Sequence, residues 1–379
     1  MHRLFHLLVT LFCLCLLASG DSYCDTISNI TMFDPSAPHT NSMSYIKFAV
    51  ARPWPKRPTA VGSVRPVRYC FANEEAKDEL LCPLMAGFDA WAHAIKFPIS
   101  KENGHNLCWK SVMARRTDGK GGYYAPFCYL DDYRNVKNPG TWNPLVLDDV
   151  LAIHLVEGSP SATVGWVDEA EKGRHKLLLP KGVDTKKVVH EIGHVLGMLH
   201  EHARFDRDDF VTYKCKAVKG YNTALISAIV AGFSAPDASA RLCYDKAFAL
   251  RFDFIGAQYT KNDFYYHEDR GIFDVEKFDY GSIMMYPTSA NAEDDKCWTE
   301  SRLDLCPLVG GKEGNTWPMM PALVPSSGDV DFVKKYYSWE ESASNDATSA
   351  VAVALADSVV ERKVKRDPQP TVRVHHIFS

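Results

Sequence analysis

Between Val189 and Phe210 the chain reads VHEIGHVLGMLHEHARFDRDDF, and this stretch limits what the remainder can be. His190 and His194 are four apart, so on a helix they project from one face and can share one ion. Glu191 is rotated about 100° from His190, which suits a base acting on water at a metal better than a ligand. Gly197 ends the helical reach, because a glycine can adopt a backbone turn closed to other residues and so let His200 approach the same point from another direction. Three neutral imidazoles at about 2.0–2.1 Å leave one coordination position open, which marks a catalytic zinc rather than a structural one. With 14 His and 23 Gly in 379 residues, the pattern HExxHxxGxxHE arises by chance on the order of once in a hundred thousand such chains. The helix should be capped by Asp184 and should bury Val188, Ile192, Val195, Leu196 and Leu199, a stripe at helical spacing.

The histidine string resembles that of the metzincin zinc peptidases. Glu201 directly after the third histidine, followed by Arg204 and Asp206-Arg207-Asp208, is similar to the astacin family, and FDYGSIMMYP (Phe278 to Pro287) resembles the astacin methionine turn. The resemblance implies an α+β, metzincin-like, two-lobed catalytic domain. Its parts would be a twisted mixed five-stranded sheet, a zinc-binding active-site helix and a Met-turn in the C-terminal lobe. It implies one catalytic Zn2+ held by His190, His194 and His200, with Glu191 as general base and no organic cofactor. Met284 would underlie the site, Tyr286 would swing toward the transition state, and Glu201 would pair with the N-terminus of the trimmed enzyme. Three departures stand out: Met285 occupies a position where astacins usually carry histidine, no cysteine precedes the zinc helix in LPKGVDTKKV, and the propeptide motif Phe-x-Gly-Asp is missing.

Residues 1–20 read as a signal peptide: Arg3, an apolar run from Leu4 to Ala18, then Ala18 and Gly20 as small residues before a cut at Asp21. That run is too short for a comfortable membrane span. Residues 21–58, rich in Ser, Thr, Asn and Pro, form a leader or propeptide with the glycosylation sequon at Asn29. The catalytic domain is expected over 59–340, with an insertion at about 213–274, and 341–379 reads as a disordered Ala/Ser-rich, charged tail. A net charge of −4 and a pI near 6.4 give no sign of a nucleic-acid partner. Eight domain cysteines suit four disulfides in an oxidising compartment, and short separations suggest Cys70–Cys82, Cys108–Cys128, Cys215–Cys243 and Cys297–Cys306.

Within the domain, strands are expected at Val64–Ala72, Asn106–Met113, Leu145–Leu155, Ser161–Val167 and Leu177–Leu179, with a helix over Glu79–Lys96 and a closing helix capped by Ser327. The Ser161–Val167 stretch resembles the edge strand that pairs with substrate backbone in astacins. His93 and His105, lacking partners at ligand spacing, are expected at the surface. The chain therefore reads as a secreted, monomeric zinc endopeptidase acting on proteins or peptides without a stable membrane anchor. The competing readings are another metzincin-type peptidase and an inactive binding protein on the same scaffold.

Overall fold

The computed structural model describes residues 53–59, 62–117, 121–168, 171–261 and 277–341. The expected signal peptide, Asn29, most of the leader, the end of the insertion and the tail past Glu341 lie outside the described residues. In chain order the first lobe holds β1 (Arg57–Thr59), β2 (Gly62–Phe71), α1 (Glu74–Ile95), β3 (Leu107–Ser111), the hairpin β4 (Ala114–Arg115) and β5 (Tyr123–Tyr124), β6 (Leu151–Val156), β7 (Ser161–Ala162), β8 (Lys176–Pro180) and α2 (Thr185–Val195). β2 is the spine: β3 runs parallel along one edge, β6 parallel along its end, and β1 turns back antiparallel on its start. β8 follows β6 in parallel and β7 closes the edge antiparallel, giving a six-stranded mixed sheet, the expected five strands plus the short β1.

The parallel strands turn one apolar face toward the helices, and their register puts the same side chains together there. Leu107, Leu151, Ile153, Leu177 and Leu179 are all buried. α1 starts more than one turn before the expected Glu79, because the Asn73 side chain caps it by accepting from Ala76 N at 2.9 Å. Its buried row of Leu80, Leu84, Phe88, Trp91 and Ile95 lies on the sheet and on α2. A Cβ at Gly87 would stand 2.7 Å from a methyl of Val188, so the two helices approach closely there.

The second lobe holds β9 (Val211–Tyr213), α3 (Tyr221–Val230), α4 (Ala235–Tyr244), α5 (Lys246–Arg251), a 3-10 turn at Ile255–Tyr259, β10 (Leu308–Lys312) and β11 (Asn315–Trp317), with its own apolar core. The inserted residues described, 213–261, are thus mostly helical, and Cys215–Cys243 ties their start to α4. α6 (Ser327–Tyr336) returns to the first lobe, where Val333 and Tyr337 join the main core.

Several expectations shift. The stretch 145–150 is loop, and pairing starts at Leu151. Only Ser161–Ala162 pairs at the edge, since Gly165 N leaves the ladder to donate to His194 O at 2.8 Å. Cys70 bonds Cys128 rather than Cys82, because Cys128 N donates to Phe71 O and lays the loop along β2. The same bond takes Cys128 from the expected Cys108–Cys128 pair, and Cys82 and Cys108 are each disulfide-bonded. The Cys215–Cys243 and Cys297–Cys306 pairs form as expected. His93 is exposed, but His105 is buried, facing Lys96 O at 3.4 Å. The cap of α6 is Ser326, not Ser327.

Folded chain also begins before the expected boundary at 58. Trp54 is 1% exposed and packs edge-on to Trp166, with ring centroids 5.3 Å apart. A helix end leaves carbonyls without intrahelical partners, and the end of α2 finds them at both extremes of the domain. Trp54 Nε1 donates to Val195 O at 2.8 Å and the Tyr337 hydroxyl to Leu196 O at 2.9 Å. Trp54→Ala should therefore cost about 3–5 kcal/mol, the cavity adding to an unsatisfied carbonyl; urea unfolding checks it, and a midpoint unchanged from wild type would remove Trp54 from the core.

Burial pushes His154 down to about 4 and His175 to about 3, below the ordinary value near 6.5. Below that value the unfolded chain takes up protons that the folded one refuses, so each histidine makes stability fall as pH drops. His175→Gln should flatten the pH dependence of unfolding between pH 6 and 4 by up to about 1.4 kcal/mol per pH unit. Chemical denaturation across that window measures the slope.

Candidate metal centre and active site

α2 is built as the sequence predicts except at Leu199, which lies past the helix end at Val195 and is half-buried. The Asp184 side chain accepts from Lys186 N at 3.0 Å, and Val188, Ile192, Val195 and Leu196 are buried. Gly197 has φ 103°, in the left-handed region where a side chain would be strained. That turn brings His200 back toward the helix. Its Nε2 lies 3.2 Å from the Nε2 atoms of both His190 and His194. About 3.3 Å is the edge of a tetrahedron drawn around an ion at the usual zinc–nitrogen distance.

The chemistry of the donors agrees with that spacing. His190 Nδ1–H donates to Ile283 O at 2.8 Å and His194 Nδ1–H to Met198 O at 2.9 Å, so each Nε2 presents a lone pair. Burial, followed by the neighbouring imidazoles, drives His194 down to about 3 and His200 well below the usual range, and burial lowers His190 too. Three neutral nitrogens thus point lone pairs at one spot, an arrangement that a cation relieves and that a proton does not reach near neutral pH. Among the described residues this is the group of His, Cys, Asp and Glu side chains placed to hold a metal.

Around the cup, Glu191 is 5% exposed, and its Oε2 has no hydrogen-bond partner among the described residues. Burial pushes its carboxyl up to about 8, a shift that a bound dication would oppose. The Tyr286 ring lies 4.6 Å from His200 and 6.1 Å from His190 between centroids. Burial and then the Glu191 charge push its hydroxyl up to about 12, so it stays a donor. Met284 lies beneath the helix, and a Cβ at Gly193 would meet its sulfur at 2.4 Å. Glu201 has partners within its own domain: Oε1 accepts from Arg204 Nη1 and from Asp279 N, each at 2.9 Å. Met285, in the place of the usual histidine, is buried in the second core.

Sequence reasoning missed Asp329. Its carboxylate accepts from Ser282 Oγ at 2.7 Å and from the amides of Ile283 and Ser326, each at 2.8 Å. The same residue completes the capping box of α6 with Ser326, so the Ser-x-x-Asp spacing was a usable signal. Through Ile283 it fixes the carbonyl that orients His190. Asp329→Asn puts an amide against these donors, and partners of this kind are worth 10–100-fold in metal affinity. Chelator competition should show a loss of about that size, with far-UV circular dichroism unchanged.

Residues 147–227 match the family model of the astacin peptidases, a segment running from the approach to β6 through the three histidines into α3. Nematocyst expressed protein 6 of Nematostella vectensis is 26% identical over 133 residues, 34% of this chain and 32% of that protein. Astacin-like metalloprotease toxin 4 of Loxosceles laeta is 41% identical over 51 residues, 13% of this chain and 45% of that one. The chain thus spans less than half the length of these curated relatives. Among solved structures, high choriolytic enzyme 1, a hatching enzyme zinc-protease from the medaka fish Oryzias latipes, aligns with a TM-score of 0.42 at 14% identity, over 76% of this chain and 96% of that one. The segment that the family model matches holds the histidine cup and Glu191, and over that segment the chain is similar to the astacin peptidases.

Proposed function

We propose that the protein is a secreted zinc-dependent endopeptidase that hydrolyses peptide bonds with Glu191 as general base. The observation that carries the reading is the convergence of three neutral imidazole nitrogens, 3.2 Å apart across His200, beside an unpartnered buried carboxylate. His190, His194 and His200 would hold the ion. Zinc, when bound, supplies a Lewis acid that brings the pKa of water toward about 7.

The remaining steps belong to the chain's own residues. Glu191 accepts a proton from the attacking water and returns it to the leaving amine, a role that its buried, unpartnered Oε2 beside the cup suits. The Tyr286 hydroxyl, kept protonated by burial, donates to the oxyanion that forms on the scissile carbonyl. An extended substrate can lie against β7, whose Ser161–Ala162 ends the sheet on the side of α2. The N-terminal signal-like run and the disulfides Cys70–Cys128, Cys215–Cys243 and Cys297–Cys306 support secretion through an oxidising compartment. No helix of the described residues is long and apolar enough to cross a membrane.

Casein hydrolysis by the zinc-loaded protein, with its chain left whole or trimmed ahead of Trp54, tests the reading. Glu191→Gln should keep zinc and lose nearly all turnover; an active variant would remove Glu191 as the base. Tyr286→Phe should lower kcat by about 100–1,000-fold at unchanged zinc content, the loss expected for one oxyanion donor. Bound zinc without cleavage of any protein substrate would favour a binding protein instead.

A further inference from the structure

Behind the cup the inserted segment does something that its sequence did not announce. His202 is fully buried, two residues past the third zinc ligand, and its ring forms a wedge. It stacks on His200 at 4.9 Å and 24°, and on Tyr286 at 4.3 Å and 31°. What fixes the wedge comes from the insertion. His202 Nε2–H donates at 3.0 Å to the carbonyl of Gln258, in the 3-10 turn Ile255–Tyr259. The next side chain, Tyr259, is fully buried and sets its ring edge-on to Tyr286, with centroids 5.7 Å apart.

That turn is itself held from the zinc-helix side. Arg207, 1% exposed, donates from Nη1 to His202 O at 3.1 Å and also to Tyr259 O, while its guanidinium lies 4.7 Å over the Tyr213 ring. Tyr213 in turn stacks on Tyr259 at 5.1 Å and 11°. A buried guanidinium that binds two carbonyls, with Nε paired to Asp208 at 3.2 Å, ties the two turns together, because parting them would leave buried N–H groups without acceptors. The layer meets the site at the ring of His200, through His202, and at the ring of Tyr286, through both His202 and Tyr259.

We infer that His202, clamped by the inserted 255–259 turn, is a positioning residue for Tyr286, and that the insertion supports the chemistry instead of merely decorating the lobe. A phenol that must meet a developing oxyanion gains from a fixed ring. His202 and Tyr259 border it with their rings, and the insertion supplies the carbonyl that sets the His202 tautomer. The inference rests on the reading of Tyr286 as the oxyanion donor.

The test is a double-mutant cycle on the zinc-loaded, full-length protein, with kcat, KM, zinc content and melting temperature measured for each variant. His202→Ala should lower kcat on the order of tenfold with KM within twofold and zinc stoichiometry unchanged. Placed on Tyr286→Phe, the same substitution should change kcat by less than about twofold, because the group that it positions has gone. An equal fold-loss in both backgrounds would make His202 a packing residue only and overturn the inference. So would an unchanged kcat in His202→Ala. If His202→Ala loses zinc or fails to fold, Tyr259→Leu runs the same cycle from the insertion side and decides by the same criterion. Tyr286→Phe alone with wild-type kcat would instead sink the oxyanion reading, and the inference would fall with it by a separate result.

Discussion

Everything in the site answers to the mutual repulsion of three lone pairs. Imidazole nitrogens at van der Waals distance with no proton between them are held in an unfavourable arrangement unless a cation joins them. The fold maintains that arrangement with rigid acceptors. Ile283 O and Met198 O take the Nδ1 protons of His190 and His194, and the Gly197 turn sets the third ring. Backbone carbonyls suit this task because they have no rotamers, so the direction of each ring follows from the path of the main chain. The price is that each carbonyl must itself be anchored. Asp329 anchors one by binding the amide of the same residue, Ile283, and Met198 sits in the short loop that the histidines bracket.

The active-site helix is held in the same manner at its other weak point. It is only 11 residues long, too short to stand on intrinsic propensity. It is buried along Val188, Val189, Ile192 and Val195, and its exposed final carbonyls are covered by Trp54 and Tyr337. These two residues, near opposite ends of the described chain, meet: Tyr337 Oη lies 3.4 Å from Trp54 N. The lobes therefore close around the helix. One core packs its apolar face, and the second supplies the layer of His202, Tyr259 and Tyr286 behind the third ligand.

What could be read from the sequence follows from range. Asp184, the histidine spacing, Gly197 and the α2 stripe depend on residues within a few turns of one another, and all stand where their local chemistry puts them. The methionine turn was legible as a motif, as was the alternation of β2. Partners set by tertiary approach were not. Cys70 pairs 58 residues away instead of with the nearer Cys82, because strand neighbours and not loop lengths decide which sulfurs meet. Trp54 looked like part of a polar leader, since one tryptophan among prolines has no period to betray it. His202 carries no signal in the sequence, because the Gln258 carbonyl that it binds comes from the insertion.

The order of the parts along the chain has a consequence for synthesis. The ligands are translated first, the Ile283 carbonyl follows 93 residues after His190, and Asp329 comes near the end of the folded domain. A chain growing from its N-terminus thus holds all three imidazoles and Glu191 long before it can orient them. Until α6 has formed, the turn that aims His190 lacks the carboxylate that binds its Ile283 amide. The aim of His190 is thus completed by a residue made late, and the cup takes its full described geometry only once α6 has closed on the Ile283 turn.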